Sequence, residues 1–353
     1  MKHEVSSQGA SRRLANLGWQ AFFDAQVTGA KRAQTPPVRV LEIRRSGVHV
    51  AGDEINQVLA PRSDVTVGDW LLLDQSDPSQ SELLARKSLL KRRAPGKELQ
   101  VQLIAANIDT AFIVSSCNQD FNVARLERYI ALVLEAEITP VILLTKPDLT
   151  AEAEGYVSEA ARISPDVEVL SVNARSQAPR EMLAPWCKPG QTIGFLGSSG
   201  VGKSTLTNAL IGHGKIATQA IREDDARGRH TTTSRRIHLL PEGGLVMDTP
   251  GMRELQLTDA ASGISGLFAD LEELAAQCKF RDCSHRAEPG CAVRAAVEAG
   301  VVDPERLARW RRLTEEEAIN SASLSTRSGK RGPKGKAARK ALRAKSGRRY
   351  NTP

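Results

Sequence analysis

Gly197-Ser198-Ser199-Gly200-Val201-Gly202-Lys203-Ser204-Thr205 fits the pattern G-x-x-x-x-G-K-S/T, which builds a phosphate-binding turn between a strand and a helix. The β-rich run Thr192–Leu196 precedes it, and a helical run from Lys203 to Leu210 follows, stopped by Gly212. Glycines allow backbone N–H groups to turn inward around phosphates at the positive end of that helix. Lys203 then reaches the β- and γ-phosphates and the Ser204 hydroxyl binds Mg²⁺. The loop itself does not choose a base, since ATPases, kinases and GTPases share it.

The choice of base lies upstream. Thr145-Lys146-Pro147-Asp148 follows the β-rich run Val141–Leu144. An Asp148 carboxylate there accepts from the N1–H and N2–H₂ groups of guanine, donors that adenine lacks. Lys146 lays its stem along the purine plane and braces the phosphate loop. Ser171-Val172-Asn173-Ala174, after the run Val167–Leu170, completes the base pocket through backbone N–H. Downstream, Asp248-Thr249-Pro250-Gly251 ends the strand-like Leu245–Met247, 51 residues after Gly197. Asp248 holds Mg²⁺ directly or through water, and the Gly251 N–H meets the γ-phosphate. Three such motifs, each after a β-rich run, make GTP the nucleotide. An ATP-dependent small-molecule kinase conflicts with Asp148 and lacks an acceptor site. The base motif precedes the phosphate loop by 49 residues, whereas GTPases place it last. The order is a circular permutation, so the switch after Asp248 runs on into the C-terminal region and can reposition it.

The flanks read differently from this α/β block of about 100–260. Residues 1–35 form an N-terminal extension that ends at Pro36-Pro37. From 36 to 95 come short alternating runs, Val38–Ile43, Val48–Val50 and Val65–Val67, then Gly68-Asp69 as a turn before Trp70–Leu73. Short strands with turn signals predict a small β-barrel. Residues 261–320 are helical around Cys278-x₄-Cys283-x-His285-x₅-Cys291. Three thiolates and one imidazole make the closed tetrahedral set of structural zinc, with no position open for a catalytic water. Asp303-Pro304-Glu305 opens the last helix. The 353-residue chain carries a net charge of +8, but eleven lysines and arginines and no carboxylate fall within 321–353, leaving −3 elsewhere. A basic, flexible tail of that kind suits a polyanionic partner. Five cysteines, an odd count, argue against a disulfide scaffold. No apolar run nears the ~18 residues that span a bilayer, and no signal peptide is evident, so a cytoplasmic protein without a membrane partner is expected.

The permuted order, the cluster after it and the barrel before it, with Gly68-Asp69-Trp70, resemble the RsgA family of small-ribosomal-subunit biogenesis GTPases. The resemblance runs from about Val38 to Asn320. It implies a multidomain α/β protein with an OB-like barrel, a circularly permuted P-loop GTPase domain and a C-terminal helical zinc-binding domain with the same four ligands. It also implies a monomer that binds the small ribosomal subunit and its rRNA during late maturation, alongside other assembly factors, and whose GTP hydrolysis the subunit stimulates. Thr145 stands where GTPases commonly have Asn; with fewer hydrogen bonds, it is expected to loosen the base pocket without changing its selectivity. The Gln that commonly aligns water just after Asp-x-x-Gly is Met252 here, which predicts slow intrinsic turnover. Gly228–Thr233 reads as the first switch, with Thr232 or Thr233 on Mg²⁺ and His230 a candidate, which the resemblance also suggests, for positioning water. Met252 leaves a second reading open, a GTP-gated RNA-binding module with incidental hydrolysis.

Overall fold

A computed structural model describes residues 7–93, 101–212, 235–248 and 260–329. The extension holds three short helices, α1 (Ser7–Asn16), α2 (Ala21–Asp24) and α3 (Gly29–Gln34). Strands β1 (Pro37–Arg44), β2 (Gly47–Gly52), β3 (Asn56–Leu59), β4 (Trp70–Leu72) and β5 (Glu82–Leu83) follow, then the hairpin β6 (Leu89–Arg93) and β7 (Val101–Ala106). The α/β block comprises β8 (Thr110–Ser116), α4 (Val123–Glu135), β9 (Thr139–Thr145), α5 (Ala153–Ala161), β10 (Glu168–Val172), α6 (Ala178–Leu183), β11 (Thr192–Leu196), α7 (Lys203–Ile211), β12 (Arg235–Leu239) and β13 (Leu245–Asp248). The C-terminal helices are α8 (Ala261–Leu267), α9 (Ala269–Ala275), α10 (Ala292–Glu298) and α11 (Pro304–Gly329).

Strands β10, β9, β8, β11 and β13 lie side by side and parallel, with β12 antiparallel at their end. β8 and β11 are buried along their whole length, as helices on both faces of a parallel sheet require. The sheet does not stop at the block. β1 pairs antiparallel with β12 through Glu42↔Arg236 and Ile43↔Arg235, so an eleven-stranded sheet runs into the N-terminal strands. There the ladders run β3–β2–β1–β4–β5, and among the described residues no ladder joins β3 to β5.

Val65–Val67 is a turn rather than a strand. The Asp69 carboxylate accepts from Thr66 N at 2.7 Å, and Asp69 N donates back to Thr66 O at 3.2 Å. Gly68, at φ +93°, completes it; a Cβ there would stand 2.0 Å from Ala106 O, so only glycine lets this turn close on β7. Arg39 in β1, almost wholly buried, donates to Leu17 O (2.6 Å) and Asn107 O (3.1 Å) and lies 5.8 Å from the Trp70 ring centroid. Burial lowers its pKa to about 10, still charged at neutral pH. One guanidinium thus joins the extension, the first strand and the segment entering β8. At the other end, α11 continues to Gly329, past residue 320 where the sequence ended the helical region. The stretch after Trp310 holds no Gly or Pro before Gly329, so nothing stops the helix sooner.

Asp69 is fully buried and held by Arg86 at 2.7 Å, and burial raises its pKa despite that partner. Arg86→Met leaves a buried carboxylate without its cation and is expected to cost about 3 kcal/mol of stability. Lys31→Met, at the exposed Lys31–Glu82 pair, is expected to cost under about 1 kcal/mol. Urea midpoints of the two variants against the parent chain check both.

Candidate functional site

The sequence motifs converge at one edge of the parallel strands. Gly197 follows β11, Lys146 and Asp148 follow β9, and Asp248 ends β13, so all lie at carboxyl ends, where open α/β sheets bind ligands. β9 and β11 are separated by β8 alone. At about 4.8 Å between neighbouring strands, the base motif and phosphate loop stand about 10 Å apart, a span one nucleoside triphosphate bridges.

Gly197 has φ +140°, and a Cβ on it would lie 2.2 Å from Val114 O in β8, so the loop leaves the sheet only with glycine there. Gly200 and Gly202 also have positive φ, at 79° and 102°. Lys203 opens α7, its Nζ donating to Gly197 O at 2.7 Å and also to Ser198 O; the ammonium is folded over the concavity whose N–H groups suit phosphate. Ser204 is exposed in the first turn of α7, and Asp248 is half-buried at the end of β13. A hydroxyl and a carboxylate are the hard oxygen donors that Mg²⁺ takes. Asp148 is exposed beside Lys146, whose own φ of 59° turns the chain sharply out of β9.

Thr145 is fully buried. Its Oγ1 donates to Val201 O at 2.6 Å, with Ser115 O a second acceptor at 3.2 Å. Its side chain also packs against Gly202, where a Cβ would meet Thr145 Cγ2 and Oγ1 at 3.7 Å. The hydroxyl of Thr145, the residue expected to loosen the base pocket, points at the phosphate loop and ties the two motifs together. Ser115 and Val114 were not evident in the sequence. The available signal was that β8 precedes the base-motif strand and ends in Ser115-Ser116. Ser171 lies within β10, opposite Leu144, so Asn173 and Ala174 are the residues that leave the strand at this edge. Thr205 follows Ser204 in α7. His230, Thr232, Thr233 and Gly251 lie outside the described residues, as does Met252.

The cysteine cluster forms a second centre. The ligand atoms of Cys278, Cys283, His285 and Cys291 all lie within 4.8 Å of one another. Cys278 Sγ is 3.9 Å from Cys291 Sγ and 3.6 Å from His285 Nδ1, which is 3.4 Å from Cys291 Sγ. Tetrahedral zinc with sulfur at about 2.3 Å sets ligand edges of about 3.8 Å, so the set fits that ion. Burial lowers the pKa of His285 and favours the neutral ring a metal requires. The ring rests 5.2 Å from Trp310 of α11. That helix is bound to α4 by Arg309–Glu127 (2.9 Å) and by both Arg128 Nη atoms on Glu316, which places the centre firmly against the α/β block.

Residues 83–258 match the model of the RsgA GTPase family. A protein of Mesorhizobium japonicum called small ribosomal subunit biogenesis GTPase RsgA is 48% identical over 340 residues, covering 94% of this chain and 97% of that one. Small ribosomal subunit biogenesis GTPase RsgA 2 of Vibrio vulnificus is 45% identical, covering 88% of this chain and 90% of that one. Two solved structures share the fold. YjeQ from Thermotoga maritima aligns with TM-score 0.59 at 24% identity, over 79% of this chain and 98% of that one. YloQ, described as a circularly permuted GTPase, aligns with TM-score 0.55 at 23% identity, over 82% and 98%.

Thr145→Val keeps the shape and removes the bond to Val201 O. It is expected to weaken GDP and GTP alike by about tenfold, the cost of one orphaned buried acceptor, and to leave the preference for guanine over adenine unchanged. Calorimetric titration with GDP, GTP and ADP reads both quantities.

Proposed function

The chain belongs to the RsgA GTPase family, and from that premise we propose that it binds the small ribosomal subunit and its rRNA in the GTP form, assists late maturation and departs when the subunit stimulates hydrolysis. The chain is a GTP-hydrolysing enzyme with a guanine-nucleotide site. The observation that carries the finer reading is the meeting of Asp148, the 197–205 loop and Asp248 at the ends of near-neighbour parallel strands, joined by the Thr145–Val201 bond.

In this reading Asp148 reads the guanine edge, Lys146 lines the purine, and Asn173-Ala174 close the pocket through backbone N–H. The N–H groups of 197–203 hold the phosphates, and Lys203 swings from its two carbonyls onto the β- and γ-oxygens, where charge develops in the transition state. Ser204 and Asp248, with Thr232 or Thr233, are the residues that would hold Mg²⁺, which neutralises charge on those oxygens. Gly251 N–H meets the γ-phosphate. Met252 has no group to align water, so His230 takes that task on the subunit. Cys278, Cys283, His285 and Cys291 hold one structural zinc. The N-terminal strands act as an OB-like RNA-binding unit, and the basic tail adds phosphate contacts. The enzyme works as a cytoplasmic monomer beside other assembly factors.

Phosphate release from GTP and ATP, with and without purified small ribosomal subunits, tests this. GTP turnover is expected to be slow alone and to rise by roughly tenfold or more with subunits, with ATP inert. His230→Ala is expected to keep nucleotide binding and lose about a hundredfold of the stimulated rate. GTP binding without any response to subunits supports instead the GTP-gated RNA-binding module.

A further inference from the structure

The turn between the first two cysteines of the cluster is Lys279-Phe280-Arg281-Asp282, and all four residues are exposed. Phe280 is a large apolar side chain left 41% exposed, with Lys279 Nζ 5.4 Å from its ring centroid. The turn is short and held at both ends: Cys278 and Cys283 flank it, and Lys279 N donates to Gly290 O at 3.1 Å across the cluster. Gly290 stands so close that a Cβ there would lie 3.0 Å from Lys279 Cβ. The ring is therefore presented on a fixed scaffold and not on a free loop.

The cations of this turn, Lys279 and Arg281, like Arg311 and Arg312 of α11, have no carboxylate partner among the described residues. In the same region Arg286 is paired with Glu315, Arg294 with Glu298, Arg306 with Asp270 and Arg309 with Glu127. An exposed aromatic face flanked by two unpaired cations matches single-stranded nucleic acid: the base stacks on the ring while the cations meet the neighbouring phosphates. A protein partner would need a carboxylate for each cation and a fitted pocket for the ring, whereas single-stranded RNA supplies a phosphate beside every stackable base.

We propose that Lys279-Phe280-Arg281 is a base-stacking contact for single-stranded RNA, with Phe280 taking one unpaired base and Lys279 and Arg281 the phosphates beside it. This rests on the reading that the protein acts on the small ribosomal subunit. It is tested with the full chain bound to the GTP analogue GMPPNP, against two probes: purified small ribosomal subunits and a fluorescein-labelled 12-nucleotide single-stranded RNA of mixed sequence. Phe280→Ala is expected to weaken binding to both by about 5- to 100-fold, with zinc content and subunit-free GTP turnover unchanged. Phe280→Trp, which keeps a stacking face, is expected to bind as the parent does. Arg281→Ala is expected to lower the salt dependence of RNA binding by about one phosphate contact. Phe280→Ala binding within twofold of the parent while holding zinc overturns the proposal. So does a loss confined to subunits with the RNA unaffected, which assigns the turn to a protein contact. Parent chain that binds neither probe overturns the ribosomal reading itself, and is distinguishable because no variant is involved.

Discussion

The hydroxyl of Thr145 on the carbonyl of Val201 is the bond on which the nucleotide site turns. It joins the end of β9, which carries the proposed base motif, to the loop after β11, which carries the proposed phosphate site, across the one strand between them. The two parts are distant in the chain, with 56 residues from Thr145 to Val201. What fixes their spacing is therefore the register of β8 against both neighbours and this buried bond. Gly197 answers the same constraint from the other side, since its approach to Val114 O leaves no room for a Cβ.

The permutation determines what the ends of the block connect to. At the N-terminal side β12 finds β1, so the sheet edge that carries the antiparallel strand is covered by N-terminal strands instead of standing open to other chains. At the C-terminal side the chain beyond Asp248 is received by α8, which is fixed to α4. A Cβ on Gly263 would stand 1.9 Å from Ala131 O, and Gly263 N donates to Glu135 at 2.9 Å. α11 adds the Arg309–Glu127 pair onto the same helix. Because α4 follows β8 directly, the zinc-type module is mounted on the strand that organises the nucleotide site. A change at that site has a short mechanical route to the module.

The sequence made the chemistry legible wherever residues that act together lie within a few positions of one another. The phosphate loop, the Thr145–Asp148 motif, Asp248 and the cysteine cluster each carry their spacing in a short window, and strands Thr110–Val114, Val141–Leu144 and Thr192–Leu196 all lie where their apolar runs placed them. What escaped depends on distant partners. The pairing of β1 with β12 joins residues almost 200 apart, and no local pattern records it. Val65–Val67 alternates like a strand, yet the Asp69 carboxylate claims Thr66 N and bends it. Thr145 was recognised, but the direction of its hydroxyl is settled only by packing against Gly202. The role of Arg39 was invisible because an arginine in a strand reads as surface until three segments are seen to close over it.

In the proposed function Asp148 reads the base of the same nucleotide whose phosphates lie on 197–205. Guanine offers an N2–H₂ donor where xanthine carries an oxygen, so Asp148→Asn, which replaces one acceptor by a donor, exchanges the partner it can satisfy. Titration calorimetry of this variant with GDP and XDP reads that exchange. GDP affinity is expected to fall and XDP affinity to rise until XDP is preferred. Unchanged preference for GDP would contradict this role of Asp148 and place the base elsewhere.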